Sequence, residues 1–378
     1  MHRWSKVIID SLAAGAFLGC TAISAAQPCD TPGTWYSPEQ GKQLDTAEVM
    51  ARLGDASFVL LGERHDSYEH HRWQLHVLSA LLGTDNLAAV GFEMFPRSSQ
   101  PILDDWVKGA LTVDSFLSKS NWDKVWSFNP DLYMPLFHFV RMHQIPSQAL
   151  NVDRATVRQI REQGLAEMSS DDLEGVSKPA KPHASYRKHL AEVLEQHPGD
   201  INLKRFIAAQ TFWDRAMAEG LTKAHEAHGS PVVGIVGMGH AQYGHGLPLQ
   251  LRDLGQEDVI VLSPHEIGET CPPDDRADYL FMVSPQPADK PSPPRMGVGL
   301  ELDEEQRVRI TKVFPDSPAA AAGIKAGDRI IKAAGDKLGH ARDLQTAVQQ
   351  QPPGTWLPLL IERNGDQEKI VVKFPPQG

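Results

Sequence analysis

The chain has 378 residues, of which 41% are hydrophobic and 22% are charged, a composition ordinary for folded globular proteins and a length sufficient for two domains. Its formal net charge is −11. This argues against a nucleic-acid partner, because phosphate backbones require a surface rich in lysine and arginine.

The first 26 residues have the pattern of a secretory signal. A short basic stretch precedes a mostly apolar run, and small residues follow up to Ala26. Two processing outcomes fit this stretch: ordinary cleavage after Ala26, and lipoprotein-type cleavage after Gly19, which would place a lipid on Cys20. We therefore expect a periplasmic protein, either released or anchored to the outer membrane.

Export would place Cys29 and Cys271 in an oxidising compartment, where disulfides form and persist. After cleavage at Ala26 they are the only cysteines of the chain. We predict a disulfide between them that ties the mature N-terminus to the end of the large domain. Two unpaired buried cysteines are the alternative.

Five short apolar runs predict buried strands, because polar residues flank each of them. They are residues 58–61, 87–92, 147–152, 232–236 and 259–262. The intervening segments have helical patterns. The first of these is predicted to begin with a capping box at Asp66 and Glu69 and to end at Gly83.

Longer helical patterns fill residues 98–142 and 154–228, which we interpret as insertions that cap one end of the sheet. Alternation of strands and helices predicts an α/β domain with a mostly parallel sheet and helical insertions, over residues 40–270. A proline-rich linker, residues 271–293, separates it from a small C-terminal domain, residues 294–378.

Polar residues follow the predicted strands at their carboxyl ends. Glu63 and His65 follow the first strand, Glu93 the second, Asn151 ends the third, and His240 follows the fourth. Carboxyl ends of parallel strands meet at one edge of a sheet, where ligands bind in a crevice just beyond the strand ends. Imidazoles and carboxylates are ligands of zinc, manganese and non-haem iron.

We therefore take His65, Glu93 and His240 as candidate metal ligands. Each histidine stands in a GxxH motif, in which the glycine lets the backbone turn tightly. The alternative is that both histidines start helices and are simply hydrogen-bonded to carboxylates.

Five blocks carry a family resemblance: "LLGERHDSYEHHRWQ", "GFEMF", "PDLYMPLFHFVRMHQIPSQALN", "AAQTFWDRAMAEG" and "GMGHAQYGHGLP". Across residues 45 to 265 the chain resembles the ChaN-like family of iron-regulated lipoproteins, which is grouped with the Tiki and TraB-like proteins. The resemblance implies haem binding and iron uptake, while some Tiki-like relatives are metal-dependent proteases. The shared pattern of two GxxH motifs and a glutamate falls on His65, Glu93 and His240. Further matches, taken as supporting residues of the crevice, are Gln74, Asn151, Gln210 and Asp214.

The two implied functions require different chemistry. A haem site requires an apolar wall and an axial ligand, and the haem would be held non-covalently because the chain has no C-x-x-C-H motif. The candidate axial ligands are Tyr68, His70, His71, Tyr133, Tyr243 and His245. A metal-dependent hydrolase would use Glu63 as the base that activates a metal-bound water. Whether two copies share one haem is left open.

The C-terminal blocks "MGVGL" and "VRITKVFPDSPAAAAGIKAGDRIIKAAGDKL" resemble a bacterial PDZ domain, a small β-rich α+β fold. Asn364 and Gly365 predict a type I′ hairpin turn. The resemblance implies binding of a partner protein through its C-terminal peptide. The loop that receives the peptide carboxylate would be Gly297, Val298, Gly299 and Leu300. Residues 344–349 would form the opposite, helical wall, and a domain kept only for packing or dimer contacts is the alternative.

Overall fold

The computed structural model describes residues 29–195, 202–271, 275–285, 294–303, 307–338 and 341–376. The chain divides into two compact units between Gln286 and Pro287. The predicted signal segment, Cys20 and residues 286–293 of the predicted linker lie outside the described residues. Among the described helices, none is long and apolar enough to cross a membrane.

The first unit is built on one eight-stranded sheet. Its strands are β1 (Trp35–Ser37), β2 (Lys42–Leu44), β3 (Phe58–Glu63), β4 (Ala89–Pro96), β5 (Ser147–Asn151), β6 (Val232–Gly237), β7 (Val259–Glu266) and β8 (Tyr279–Val283). The spatial order is β2-β1-β8-β7-β3-β6-β4-β5. Neighbours from β8 to β5 pair in parallel, whereas β1 pairs antiparallel with β2 and β8. The predicted mostly parallel α/β sheet is confirmed.

Strand β8 differs from expectation, because it lies in the segment predicted to be linker. It pairs with both β7 and β1, so the sheet reaches Val283 rather than ending near residue 270. The run "YLFMV" is apolar enough for a strand but short, and the prolines that follow it dominate the sequence pattern.

The helices of the first unit cover both faces of this sheet. They are α1 (Thr46–Gly54), α2 (Tyr68–Gly83), α3 (Gln100–Val107), α4 (Val113–Lys119), α5 (Trp122–Val125), α6 (Met134–Met142), α7 (Arg154–Gln163), α8 (Ala184–Glu195), α9 (Leu203–His228), α10 (Met238–Ala241) and α11 (Leu247–Asp253). The predicted start of α2 is wrong by one residue. Ser67, not Asp66, is the N-cap, and its side chain accepts from the His70 backbone N–H.

Alternate side chains of the central strands enter two different cores. Val59 and Leu61 of β3 pack with the cluster formed by the first six helices, whereas Phe58 and Leu60 pack with the cluster on the α9 side. Because these strands are buried on both faces, functional polar side chains concentrate where the strands end.

The second unit is an antiparallel sheet with two helices. Its elements are β9 (Val298–Leu302), β10 (Val308–Val313), α12 (Pro318–Ala321), β11 (Arg329–Ala333), β12 (Asp336–Lys337), α13 (Ala341–Gln349), β13 (Trp356–Arg363) and β14 (Asp366–Lys373). The strand order is β14-β13-β11-β10-β9, with β12 paired to β11. Positive φ at Asn364 (56°) and Gly365 (90°) matches the predicted type I′ turn between β13 and β14.

Candidate functional site at the carboxyl ends of the central strands

His65 lies just beyond β3 and is held by a carboxylate of its own strand. Its Nδ1 is 2.6 Å from Oε1 of Glu63, and the Tyr133 hydroxyl donates to the same oxygen at 3.0 Å. His71 Nε2 lies 3.5 Å from the other oxygen of Glu63. With Nδ1 bound to a carboxylate, His65 directs Nε2 towards the crevice.

Glu63 is poorly suited to the role of catalytic base that a hydrolase would give it. Its side chain is fully buried, and its Oε1 is already hydrogen-bonded to His65 and Tyr133. A general base must reach the water it activates. Glu63 therefore acts on His65, which it orients.

His240 is held by a carboxylate from a distant helix. Its Nδ1 is 2.6 Å from Oδ1 of Asp214 on α9, and the buried Tyr186 hydroxyl of α8 donates to Oδ2 at 2.9 Å. Burial disfavours the imidazolium, but the charges of Glu93 and Asp214 outweigh it and raise the pKa of His240 to about 9.

Glu93 links the two halves of the site. The pairing of β4 with β5 shifts register between Phe92 and Pro96, so Glu93 lies at an irregularity of the strand. One carboxylate oxygen accepts from the Gly237 backbone N–H. The other is buried, has no hydrogen-bond partner and lies 3.6 Å from Nε2 of His240.

Gly237 is the point on which these groups converge. A Cβ at this position would lie 2.8 Å from Cε1 and 3.2 Å from Nε2 of His65, and 3.5 Å from Glu93 Oε2. Only a glycine allows the imidazole to approach this closely. The structure therefore brings together the three residues that the sequence pattern selected: His65, Glu93 and His240.

The donor chemistry of this cluster suits a divalent cation, since two imidazoles and a carboxylate with an unpartnered oxygen face one another. Among the described residues, however, no group of three or more histidine, cysteine, aspartate or glutamate side chains is arranged closely enough to hold a metal ion. His65, Glu93 and His240 would have to draw together around one.

The predicted supporting residues line the same region. Gln74 is buried on α2 and donates to the Leu61 carbonyl at 3.1 Å, while Asn151 donates to the Glu93 carbonyl at 2.9 Å. Gln210, one turn before Asp214, has a buried side-chain oxygen without a partner among the described residues. Asn151 thus fixes the backbone that carries Glu93.

Three of the six candidate haem ligands are buried. Tyr133 is inaccessible and bonded to Glu63. His71 Nδ1 lies 2.6 Å from the Ser67 carbonyl, and His70 Nδ1 accepts from the Arg64 backbone N–H at 2.9 Å. Iron cannot reach these three side chains in this conformation.

The other three candidates, Tyr68, Tyr243 and His245, remain accessible. Tyr68 is 37% exposed. Tyr243 lies in a 3-10 turn, Gln242–Gly244, with φ of 59°, a left-handed conformation rare for a tyrosine and most common at functional sites. Its ring centroid is 5.8 Å from that of His245 and 6.3 Å from that of His189.

Aromatic side chains flank the two motif histidines. Trp126 and Phe128 lie with ring centroids 4.7 and 5.2 Å from His65, and Trp213 lies 5.0 Å from His240. Trp126 belongs to the core of the first unit, as Trp122 and Phe137 do, and also borders the site.

Sequence reasoning missed Tyr186 and Trp213. Tyr186 lies in a stretch interpreted only as helical insertion, and no motif marks it. Trp213 adjoins Asp214 in the "QTFWD" block, and this adjacency was the one signal that could have selected it.

The structure joins the two cysteines that the sequence analysis paired. Cys29 and Cys271 form a disulfide with their Cα atoms 6.0 Å apart. Cys29 is fully buried.

In the second unit, β9 is an edge strand that contains three of the four predicted loop residues. Val298 and Leu300 pack against the core of this unit beside Leu344 and Val348 of α13. Gly297 has φ of 79°, and a Cβ there would lie 2.2 Å from Cβ of Ser317. The edge strand β9 thus lies beside the helix α13.

Comparisons with known proteins match both units. The family described as haem-binding uptake, Tiki superfamily, ChaN matches residues 49–251, more than half of the chain. A PDZ domain matches residues 294–374. A solved structure of cofacial haem binding to ChaN of Campylobacter jejuni is 22% identical, with 65% of this chain and 95% of that chain covered and a TM-score of 0.53. At this identity the likeness bears on the fold alone.

Curated relatives match only short segments. A probable periplasmic serine endoprotease DegP-like of Bartonella henselae is 45% identical over 57 residues, 15% of this chain and 11% of that protein. The periplasmic pH-dependent serine endoprotease DegQ of Escherichia coli is 34% identical over 71 residues, 19% of this chain and 16% of that protein. The chain therefore spans less than a fifth of the length of these relatives.

Proposed function

We propose, because this chain belongs to the ChaN family of haem-binding uptake proteins in the Tiki superfamily, that its first unit binds haem non-covalently at the mouth of the crevice. Tyr243 would be the axial ligand of the iron. The observation that carries this assignment is the partly exposed Tyr243 on a left-handed backbone, three residues after the motif histidine His240.

The residues around Tyr243 suit a flat, largely apolar ligand. Tyrosine and histidine are both axial ligands of haem iron in proteins. The ring of Tyr243 neighbours those of His189 and His245, and Trp213 adds an aromatic surface beside His240. When bound, haem would supply an iron centre that these side chains hold and shield from water.

Visible absorption during titration with haemin tests this assignment. We expect a Soret shift that saturates at a fixed ratio of haem to protein and changes in position in Tyr243→Phe. Tyr68→Phe is the matched control, since Tyr68 is an accessible tyrosine and should leave the spectrum unchanged. Loss of the shift in Tyr68→Phe alone would reassign the ligand, and absence of any shift in the native protein would reject haem binding.

A metal-dependent hydrolase is the second candidate, and one observation favours it. In both motif histidines Nδ1 is hydrogen-bonded to a buried carboxylate. Nε2 is directed towards the crevice, where the unpartnered oxygen of Glu93 also lies. Such carboxylate–histidine pairs are typical of metal sites. Elemental analysis of the purified protein should then find zinc, manganese or iron that is lost in His65→Ala and His240→Ala. Metal-free protein after loading with each ion would reject this candidate.

The second unit would recruit a partner protein by adding its C-terminal peptide as a strand to the edge of β9. The left-handed Gly297 and the adjacent α13 support this proposal. Fluorescence anisotropy can compare a labelled peptide that ends in a valine carboxylate with the same peptide amidated. We expect binding of the free carboxylate only, and Gly297→Val should abolish it. Equal binding of both peptides would contradict carboxylate recognition.

The protein would act in the periplasm after export, with attachment to the outer membrane if Cys20 is lipidated. The buried disulfide supports an oxidising compartment. Mass spectrometry of the mature protein should find an N-terminus at Gln27, or a lipidated Cys20. Thiol titration of the denatured protein should find two additional thiols only after reduction. Gel filtration with and without haem would decide whether two copies share a site.

A further inference from the structure

Arg276 is a half-buried arginine whose side chain lacks an adequate partner. Its Nη2 donates to Sδ of Met238 at 2.8 Å, and a thioether is only a weak acceptor. No described carboxylate lies within ion-pair distance of its guanidinium. A partly desolvated guanidinium normally pairs with a carboxylate or phosphate, so this side chain is incomplete as it stands.

His265, at the carboxyl end of β7, is a second group without partners. Its side chain is 1% exposed, and both ring nitrogens lack hydrogen bonds. The nearest carboxylate, on the exposed Glu269, lies 3.9 Å from Nδ1. Burial and then the positive charge of Arg276 lower the pKa of this imidazole, so it is neutral and offers one N–H. A buried polar group left without a partner destabilises the fold, which favours an occupant that accepts a hydrogen bond from it.

A second arginine, Arg64, belongs to the first GxxH motif. It is already paired with Asp66 and Glu266. Arg276 has no such carboxylate partner among the described residues.

Arg276 is also a neighbour of Tyr243, the proposed axial ligand of the haem iron. Its carbonyl accepts from the backbone N–H of Tyr243 at 2.9 Å, and Met238, which its guanidinium contacts, stands two residues before His240. A ligand coordinated by Tyr243 would therefore lie close to Arg276. Haem carries two propionate carboxylates on one edge of an otherwise apolar ring.

We propose that Arg276, with the unpartnered His265 beside it, is a carboxylate-binding subsite that takes a haem propionate. This inference rests on the proposed haem function and names the residues that fix the orientation of the ring. A charge-assisted, bidentate contact of this kind is among the stronger hydrogen bonds in proteins.

The test compares haemin with haemin dimethyl ester, in which both carboxylates are esterified and the ring is unchanged. Titrations followed by Soret absorption are made on the full chain and on Arg276→Met, which removes the charge and retains the apolar stem. The control is Arg158→Met, an exposed arginine on α7 that loses the same charge away from the site. Far-ultraviolet circular dichroism verifies that each variant is folded.

We expect the native protein to bind haemin about tenfold more tightly than the ester, which corresponds to one charge-assisted contact. Arg276→Met should bind the two equally, and Arg158→Met should retain the difference. Equal affinities in the native protein, or an unchanged preference in Arg276→Met, would overturn the subsite while haem binding stands. Absence of a Soret shift with either compound would overturn the haem function and the subsite together. If Arg276→Met does not fold, Arg276→Lys should give an intermediate preference, and an unchanged preference there would count against the subsite.

Discussion

The two motif histidines are held by carboxylates of different origin. His65 is oriented by Glu63, two residues before it at the end of the same strand, whereas His240 is oriented by Asp214, from the middle of α9. The ring of His65 is 30% exposed and that of His240 12% exposed. The first half of the site is thus local and partly open to water, and the second depends on tertiary packing and is closed.

The largest difference between the halves should follow from removal of each carboxylate. Asp214→Ala leaves Nδ1 of the buried His240 and the hydroxyl of Tyr186 without their hydrogen-bond partner, and we expect the free energy of unfolding of the first unit to fall by about 4 kcal/mol. Glu63→Ala should lower the free energy of unfolding less, by about 3 kcal/mol. The His65 ring can reach water, and the Tyr133 hydroxyl can still donate to the His65 carbonyl, which lies 3.3 Å away. Chemical denaturation followed by tryptophan fluorescence measures both. A larger loss for Glu63→Ala would reverse the comparison.

Gly237 lies where the two halves meet. Gly237→Ala would place a Cβ 2.8 Å from a His65 ring that Glu63 prevents from moving away, at a cost of about 3 kcal/mol. Gly239→Ala in the same motif is the matched control, since no atom lies within 4 Å of its added Cβ. Thermal unfolding should separate the two variants clearly. Equal midpoints would mean that the contact at Gly237 is relieved without strain.

Acid should act on the first half through His70. Its pKa is lowered to about 3 in the folded protein by burial and by Arg64, against about 6.5 when unfolded. Between pH 6.5 and pH 3 only the unfolded chain binds a proton at His70. The stabilisation that the neutral His70 gives the folded protein is therefore complete above pH 6.5 and is lost as the pH falls. His240, whose pKa is raised to about 9, is already protonated in the folded state at pH 6.5, so acidification below this pH does not lower the stability through His240.

From pH 6.5 to pH 5 the native protein should therefore lose about 2 kcal/mol through His70. His70→Asn keeps an acceptor for the Arg64 N–H but does not titrate, so its loss over the same interval should be smaller by that amount. Denaturation curves at the two pH values measure the difference. Parallel losses in both proteins would show that His70 does not control the acid response.

The smallest effects should come from the two tyrosines that support the carboxylates. Tyr186→Phe removes a hydrogen bond to Asp214 at 2.9 Å, and we expect a loss of about 1.5 kcal/mol. Tyr133→Phe should cost about 1 kcal/mol, since Glu63 still holds His65. Denaturant midpoints at constant slope are the measurement. A greater loss for Tyr133→Phe would indicate that the first half depends as much on packing as the second.

The sequence was sufficient to locate the strands and to select the motif residues. Apolar runs of four to six residues placed the five central strands, because strands buried on both faces exclude polar side chains. Polar residues that follow such runs then lie at one edge of a parallel sheet, which is why His65, Glu93 and His240 could be grouped without coordinates. The hairpin turn at Asn364 and Gly365 follows equally directly from its backbone requirement.

Only the tertiary structure decided what each of these residues does. Glu63, which would have been the base only in the alternative hydrolase, is buried and supports His65. The candidate haem ligands His70, His71 and Tyr133 are buried as well. Burial depends on which helices cover a position, and residue type does not report it. Tyr186 and Arg276 carry no motif at all, since α8 and the segment before β8 meet the site only when the chain is folded. The sequence by itself determined the strand ends and the residue types found there. The partners of those residues were decided by packing between segments far apart in the chain, because hydrogen bonds and desolvation depend on distances of a few ångströms that local sequence does not specify.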